Sequence, residues 1–165
     1  MSANSDRYLW RHNSILNTLY HYVLQIDGFD IYVDLPGYQS PSNIFYDTVR
    51  PDMVLKRDRH LIIIELTCCF ETNFEKSRNF KIEKYESIKQ YSKVPVDKLE
   101  KFFLEVSSLG FITKCFKSFE RFISKKNIDC KRLKEKLSET AIRASYYIYT
   151  RRNSNWNSPN LLKFI

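Results

Sequence analysis

The chain has 165 residues, 43% hydrophobic and 15% aromatic, with a net charge of +8 and a pI near 9.3. That is enough for one domain with a buried core, and the charge suits a polyanion, nucleic acid before an anionic membrane surface, or a solvated basic face. Only three glycines occur, no apolar run has the length of a membrane span, and no N-terminal h-region is present, which argues against a glycine-rich phosphate loop, a spanning helix and a secretory signal.

Residues 1–6 are polar and expected to fray. Residues 7–26 read as the first helix, with Leu9, Ile15, Leu16, Leu19, Tyr22, Val23 and Ile26 recurring near the 3.6-residue period. His12 on it reads as a surface or internally satisfied histidine, the alternative being a group that reaches a site or a phosphate. Asp27-Gly28 stops the helix, residues 29–35 read as a strand, and Pro36-Gly37 ends it. Asp34 either caps that turn or joins a metal shell. Residues 38–49, rich in Ser, Pro and Asn, form a loop that lies over a substrate or packs against the sheet edge.

Two β-prone runs, residues 53–56 and 61–66, flank the charged break Arg57-Asp58-Arg59-His60, which signals a hairpin. Centring it between Asp58 and Arg59 places Asp52 opposite Glu65, on one face with Cβ atoms about 5 Å apart. Carboxylates that close repel unless a cation lies between them, and oxygen ligands select a hard cation such as Mg²⁺ or Mn²⁺. The run 61–66 is nearly all apolar, so its strand is central and covered on both faces. Glu65 in such a strand needs a metal or a local Arg or Lys. The cysteines Cys68, Cys69, Cys115 and Cys130 contain no C-x-x-C pair and the three histidines are scattered, so no zinc site is expected. Adjacent Cys68-Cys69 points to reduced thiols in an intracellular setting, nuclear or cytoplasmic. A helix over 74–91 puts Phe74, Arg78, Lys81, Tyr85 and Ile88 on one face, with Lys84 at its border. Cations in an apolar stripe need anionic partners or must snorkel to the rim.

Residues 92–100, with Pro95, break that helix. Residues 101–107 read as a strand ended by Gly110, and 111–124 as a helix with Ile112, Phe116, Phe119 and Ile123 inward. Glu105 is a third candidate carboxylate, though the preferred reading is a solvent-facing residue of an edge strand. The last helix, residues 130–151, buries Leu133, Leu137, Ala141, Ala144 and Ile148. Its remaining surface is basic, and lies along a phosphate backbone or in solvent. Tyr146, Tyr147, Tyr149 and Trp156 stack on bases or pack at the core and rim. Residues 1–152 form one domain, and 153–165 an irregular tail. The order helix, strand, hairpin, helix, strand, helix, helix gives an α/β domain with a mixed sheet.

Pro51-Asp52, twelve residues, then Glu65-x-Thr67 resembles the PD-(D/E)XK nuclease core, with Thr67 where that pattern has lysine. Arg78-x-x-Lys81-x-x-Lys84-Tyr85 resembles the restriction-like endonuclease domain of site-specific non-LTR retrotransposon proteins, in which the lysine has moved onto the following helix. Arg11-His12-Asn13, Asp34-Leu35-Pro36-Gly37, Arg50-Pro51-Asp52 and Glu105-Val106-Ser107-Ser108-Leu109-Gly110 match as well, so the resemblance covers about residues 10 to 112. In similar retroelement proteins an Arg-His element opens the first helix just after a zinc knuckle, which this sequence lacks.

The resemblance implies a restriction-endonuclease-like fold, a central mixed sheet of about four or more strands flanked by helices. It implies Mg²⁺- or Mn²⁺-dependent DNA cleavage by a retroelement-derived endonuclease, with RNA as the second candidate substrate. Asp52, Glu65 and the Leu66 carbonyl would be the metal ligands. Lys81, or alternatively Lys84, would orient or deprotonate the water, and Arg78, Arg50 and Lys84 would contact phosphate. Thr67 is too weakly acidic to replace the lysine. Two other readings stand beside this one: a non-catalytic nucleic-acid-binding relic, and a basic protein-interaction module. No membrane partner is expected. Cutting both strands of a duplex needs a dimer or a second binding event, and no dimerisation motif is visible.

Overall fold

The apolar run at residues 61–66 lies at the centre of the sheet. It is the middle of β3 (His60–Cys69), which pairs antiparallel with β2 (Met53–Arg57) and parallel with β4 (Lys98–Ser107). β1 (Asp30–Val33) adds antiparallel to β2, so the sheet is mixed, in the order β1-β2-β3-β4. The computed structural model describes residues 3–165; Met1 and Ser2, part of the segment expected to fray, lie outside the described residues. The helices flanking the sheet are α1 (Ala3–Val23), α2 (Phe74–Tyr85), α3 (Phe116–Ser124) and α4 (Cys130–Thr150). The α/β class and the four-stranded mixed sheet agree with the sequence reading. No helix among the described residues is long and apolar enough to cross a membrane.

Side chains alternate across the sheet and build two cores. Ile62, Ile64 and Leu66 face α1, α3 and α4, together with Met53 and Leu55 of β2 and Leu104 and Val106 of β4. Leu61 and Ile63 face the other way, onto Val54, Tyr85 and Ile88 and onto Ile44, Phe45 and Val49. The last three come from the loop at 38–49, which therefore packs on the sheet. At about 1.5–3 kcal/mol for each fully buried Leu or Ile, β3 anchors both layers.

The hairpin register is the expected one. Met53 pairs with Ile64 and Arg57 with His60, and Asp58 takes the left-handed conformation at φ 52°, which a short acid tolerates. A slip of one residue would exchange the two cores, so burial on both faces pins the register.

Element ends depart from the periodicity for local reasons. α2 stops at Tyr85 rather than at residue 91, where Lys101 Nζ donates to the Tyr85 carbonyl (2.7 Å), and a 3₁₀ turn over Ile88–Tyr91 follows. β4 starts at Lys98, because parallel pairing begins at His60. α3 starts only at Phe116. Before it the chain doubles back through Gly110 (φ +88°): Ser107 N donates to Phe111 O (2.7 Å) and Ile112 bridges to Val106. α4 is capped by Asp129, whose Oδ1 accepts from Arg132 N at 3.0 Å.

Beyond α4 the chain has no helix or strand among the described residues, yet it is held along α1. Arg7 donates to Ser154 O (2.7 Å), Trp10 to Pro159 O (3.0 Å) and Asn17 to Leu162 O (3.2 Å). Leu162 N and Phe164 N donate in return to Ser14 Oγ and Thr18 Oγ1.

Candidate functional site

The alternation that builds the cores also sorts the carboxylates. Asp52, Glu65 and Thr67 share the sheet face covered by α2, and Glu105 stands beside Thr67 on β4. Glu65 is 6% exposed and Glu105 1%, so both need hydrogen bonds and counter-charge. Asp52 N donates to Glu65 Oε2 (3.0 Å), and Leu66 N donates to Asp52 Oδ2 (2.8 Å). The two acids thus tie the hairpin together just before the start of β2.

Helices supply the cations. α2 is held over the sheet by buried Phe74 and Tyr85, with Glu75 in its first turn and Lys84 in its last complementing the helix dipole. Lys81 Nζ donates to Leu66 O (2.7 Å) and lies 3.2 Å from Glu65 Oε1. One turn earlier, Arg78 donates Nε and Nη2 to the two oxygens of Glu105 (3.0 and 2.6 Å), and Thr113 Oγ1 adds a third bond (2.6 Å). From α1, His12 Nε2 lies 3.1 Å from Leu66 O and 3.3 Å from Asp52 Oδ2, while its Nδ1 lies 3.1 Å from Asn13 Oδ1. Each carboxylate of the row therefore meets one cation: Asp52 meets His12, Glu65 meets Lys81, and Glu105 meets Arg78.

Burial opposes charge on His12, but the Asp52 carboxylate outweighs it and raises the imidazole to about 9. His12 is then an imidazolium at neutral pH, with both ring nitrogens facing oxygens. The adjoining acids diverge. Burial works to raise Asp52, yet His12, Lys81 and the Leu66 N–H pull it below the ordinary carboxylate range. Glu65 is pushed up, by burial first and by the Asp52 charge second, with Lys81 offsetting only part. Adjacent carboxylates driven apart in this way are a feature of acid–base sites. Burial, then the charges of Glu65 and Asp52, keeps Tyr85 protonated. Glu105 is lowered despite its burial, by Arg78 and Thr113.

Among the residues singled out from the sequence, Lys81 reaches both Glu65 and the Leu66 carbonyl, and Asp52 joins them through its own N–H to Glu65 and the Leu66 N–H to its carboxylate. Lys84 does not join them; it is exposed, with its ammonium 5.0 Å from the Tyr85 ring centre. Arg50 sits outside the cluster and pairs with Asp34 (3.3 Å) and Asp47 (3.8 Å), which also accounts for Asp34. Arg78 is engaged by Glu105. One expectation is corrected. Glu105 is not solvent-facing, because α2 closes over the edge strand; a guanidinium on the inner face of that helix was the signal that an anion lay beneath it. His12 is satisfied by protein oxygens, one of the readings expected for it, and it also reaches the carboxylate cluster. Its partner Leu66 lies 54 residues away, and no local pattern announces such a contact.

The donor set suits a hard divalent cation: two carboxylates and a carbonyl, all oxygen. The Lys81 ammonium and the His12 imidazolium lie against these same oxygens, so the cluster already gathers positive charge. Among the described residues no group of three or more His, Cys, Asp and Glu side chains is arranged to hold a metal, so a cation here would rest on Asp52, Glu65, Leu66 O and water. No family model matches the chain, and no curated protein matches it.

Proposed function

We propose that the chain is a metal-dependent DNA endonuclease with a restriction-endonuclease-like core. The observation that carries this reading is the placement of the Lys81 ammonium on Glu65 and the Leu66 carbonyl, with Asp52 hydrogen-bonded to the same two residues. When bound there, Mg²⁺ or Mn²⁺ would polarise the scissile phosphate and lower the pKa of a bound water. Asp52, kept ionised by His12, and Glu65 would hold it, with Leu66 O as the neutral ligand. Glu65 is raised by burial first and by the Asp52 charge second, and a further cation would relieve the second. Lys81 orients the attacking water and donates to the oxygen charge that develops on the phosphate. Arg78 is a positioning residue: its bidentate bond to Glu105 fixes α2 one turn before Lys81. The net charge of +8 supports a polyanionic substrate.

A second reading has its own observation. His12 and Lys81 already neutralise Asp52 and Glu65, and Thr67 stands where the resembling nucleases have lysine. That supports a nucleic-acid-binding domain without cleavage. Plasmid nicking in Mg²⁺ or Mn²⁺ separates the two. The endonuclease nicks only with metal, and Glu65→Ala and Lys81→Ala each lose at least about 100-fold. Manganese titration adds a readout independent of turnover: Glu65→Ala weakens Mn²⁺ binding by at least about tenfold. A folded wild type that binds DNA and Mn²⁺ but never nicks supports the second reading. Unchanged Mn²⁺ affinity in Glu65→Ala removes Glu65 from the site.

A further inference from the structure

Two grooves flank α4. The larger, about 1180 Å³, mixes Lys131, Lys134 and Arg143 with Glu135 and Glu139. The smaller, about 680 Å³, lies between α1, α4 and the end of β3, and no acidic residue lines it. Arg7, Arg11 and Arg152 line it, with Tyr8, Tyr146 and Tyr149 presented at 52%, 69% and 61% exposure. Asp52 and Glu65 line neither groove.

Arg7 and Arg11 are the unusual members. Each is only 7% exposed, and neither has a carboxylate partner among the described residues. Arg7 rests on the carbonyls of Arg151 (3.1 Å) and Ser154 (2.7 Å), and Arg11 on Ser145 Oγ (3.2 Å), all neutral acceptors. Arg7 Nε, Arg11 Nε and Ser108 Oγ, all from residues that line this groove, are buried without a hydrogen-bond partner. The other such atoms among the described residues, the hydroxyls of Tyr22 and Tyr85, belong to residues that do not line it. Buried charge is costly unless it is balanced; among the described residues Arg7 meets neutral acceptors and the Trp156 ring (5.5 Å), and Arg11 a hydroxyl, the Cys68 thiol and the Tyr8 ring, so no carboxylate there balances the charge. An anion supplied from outside would. The rings are arranged for planar partners: Arg11 Cζ lies 5.1 Å from the Tyr8 ring centre and Arg152 Cζ 4.1 Å from that of Tyr149.

We propose that this groove binds single-stranded nucleic acid, with backbone phosphates at Arg7, Arg11 and Arg152 and bases stacked on Tyr146 and Tyr149. A duplex keeps its base faces covered, so exposed tyrosines serve an unpaired strand. Phe70, the residue after β3, lines the groove, so the strand would run past the end that carries the carboxylate cluster. The groove does not depend on cleavage at that cluster. An acidic peptide would meet the same arginines but would leave the tyrosine faces unused.

The test is fluorescence anisotropy of a labelled oligothymidylate of about 12 nucleotides with the full chain in EDTA, beside a duplex of the same length and a polyglutamate peptide. The single strand binds most tightly. Tyr146→Ala and Tyr149→Ala each weaken it about five- to tenfold, and Arg152→Ala lowers the log–log salt slope by about 0.7. All three side chains are exposed, so circular dichroism and melting stay as in wild type. Strand affinity unchanged in both tyrosine variants overturns the proposal, even if wild type nicks plasmid, and leaves the endonuclease reading intact. Tighter binding of polyglutamate than of the oligonucleotide overturns it in favour of an acidic protein partner.

Discussion

Under α2, every buried carboxylate of the candidate site has a cation of its own; between α1 and α4, three arginines share a groove that has no carboxylate. The first region is closed electrically and its charges hold the fold. The second is left open, and its charges hold only part of their hydrogen-bonding capacity inside the protein. The difference teaches that a net charge of +8 need not be a uniform surface property. Removing a cation should cost folding in the matched region, and binding in the unmatched one.

The largest effect expected on folding is in the matched region. Arg78→Met leaves Glu105 buried without its bidentate partner and destabilises by about 3 kcal/mol, the low end for breaking a buried pair because Arg78 is 34% exposed. The urea midpoint reports it, and an unchanged midpoint would mean that Thr113 alone satisfies Glu105. His12→Gln probes the same rule through pH. The imidazole pKa rises from 6.5 to about 9 on folding, so its contribution is complete below the first value and is lost as pH rises through the second. The stability gap between wild type and His12→Gln therefore narrows from pH 6.5 to pH 9. A gap constant across that window would show a neutral ring and break the matching of Asp52. The smallest effect belongs to the open region: Arg152→Ala changes stability by no more than about 0.5 kcal/mol. A larger loss on thermal melting would make Arg152 part of the fold and blur the contrast.

The sequence disclosed what repeats locally. The polar break at residues 57–60 and the doubly apolar strand after it set both the register and the centre of the sheet, and with them the meeting of Asp52 and Glu65. The inner face of α2 was equally legible from Phe74, Lys81 and Tyr85. Pairings between distant elements were not. Nothing near Glu105 in the chain says that Arg78 will cover it, and nothing near His12 points to Leu66. The helix beginning at Phe116 rather than at residue 111 reflects a tertiary competition, in which Phe111 and Ile112 gain more by returning to β4 than by extending an isolated turn.

The strap along α1 bears on synthesis. α1 packs on the sheet but finds several of its partners in segments translated much later: Thr18 bonds Thr140, 122 residues on (2.9 Å), and Trp10 bonds Pro159. While the ribosome is still making the segment between them, the hairpin can pair, but Leu16 and Leu19 lack the α3 and α4 side chains that complete their core. Completion of the core around α1 is thereby tied to translation of α4 and the strap.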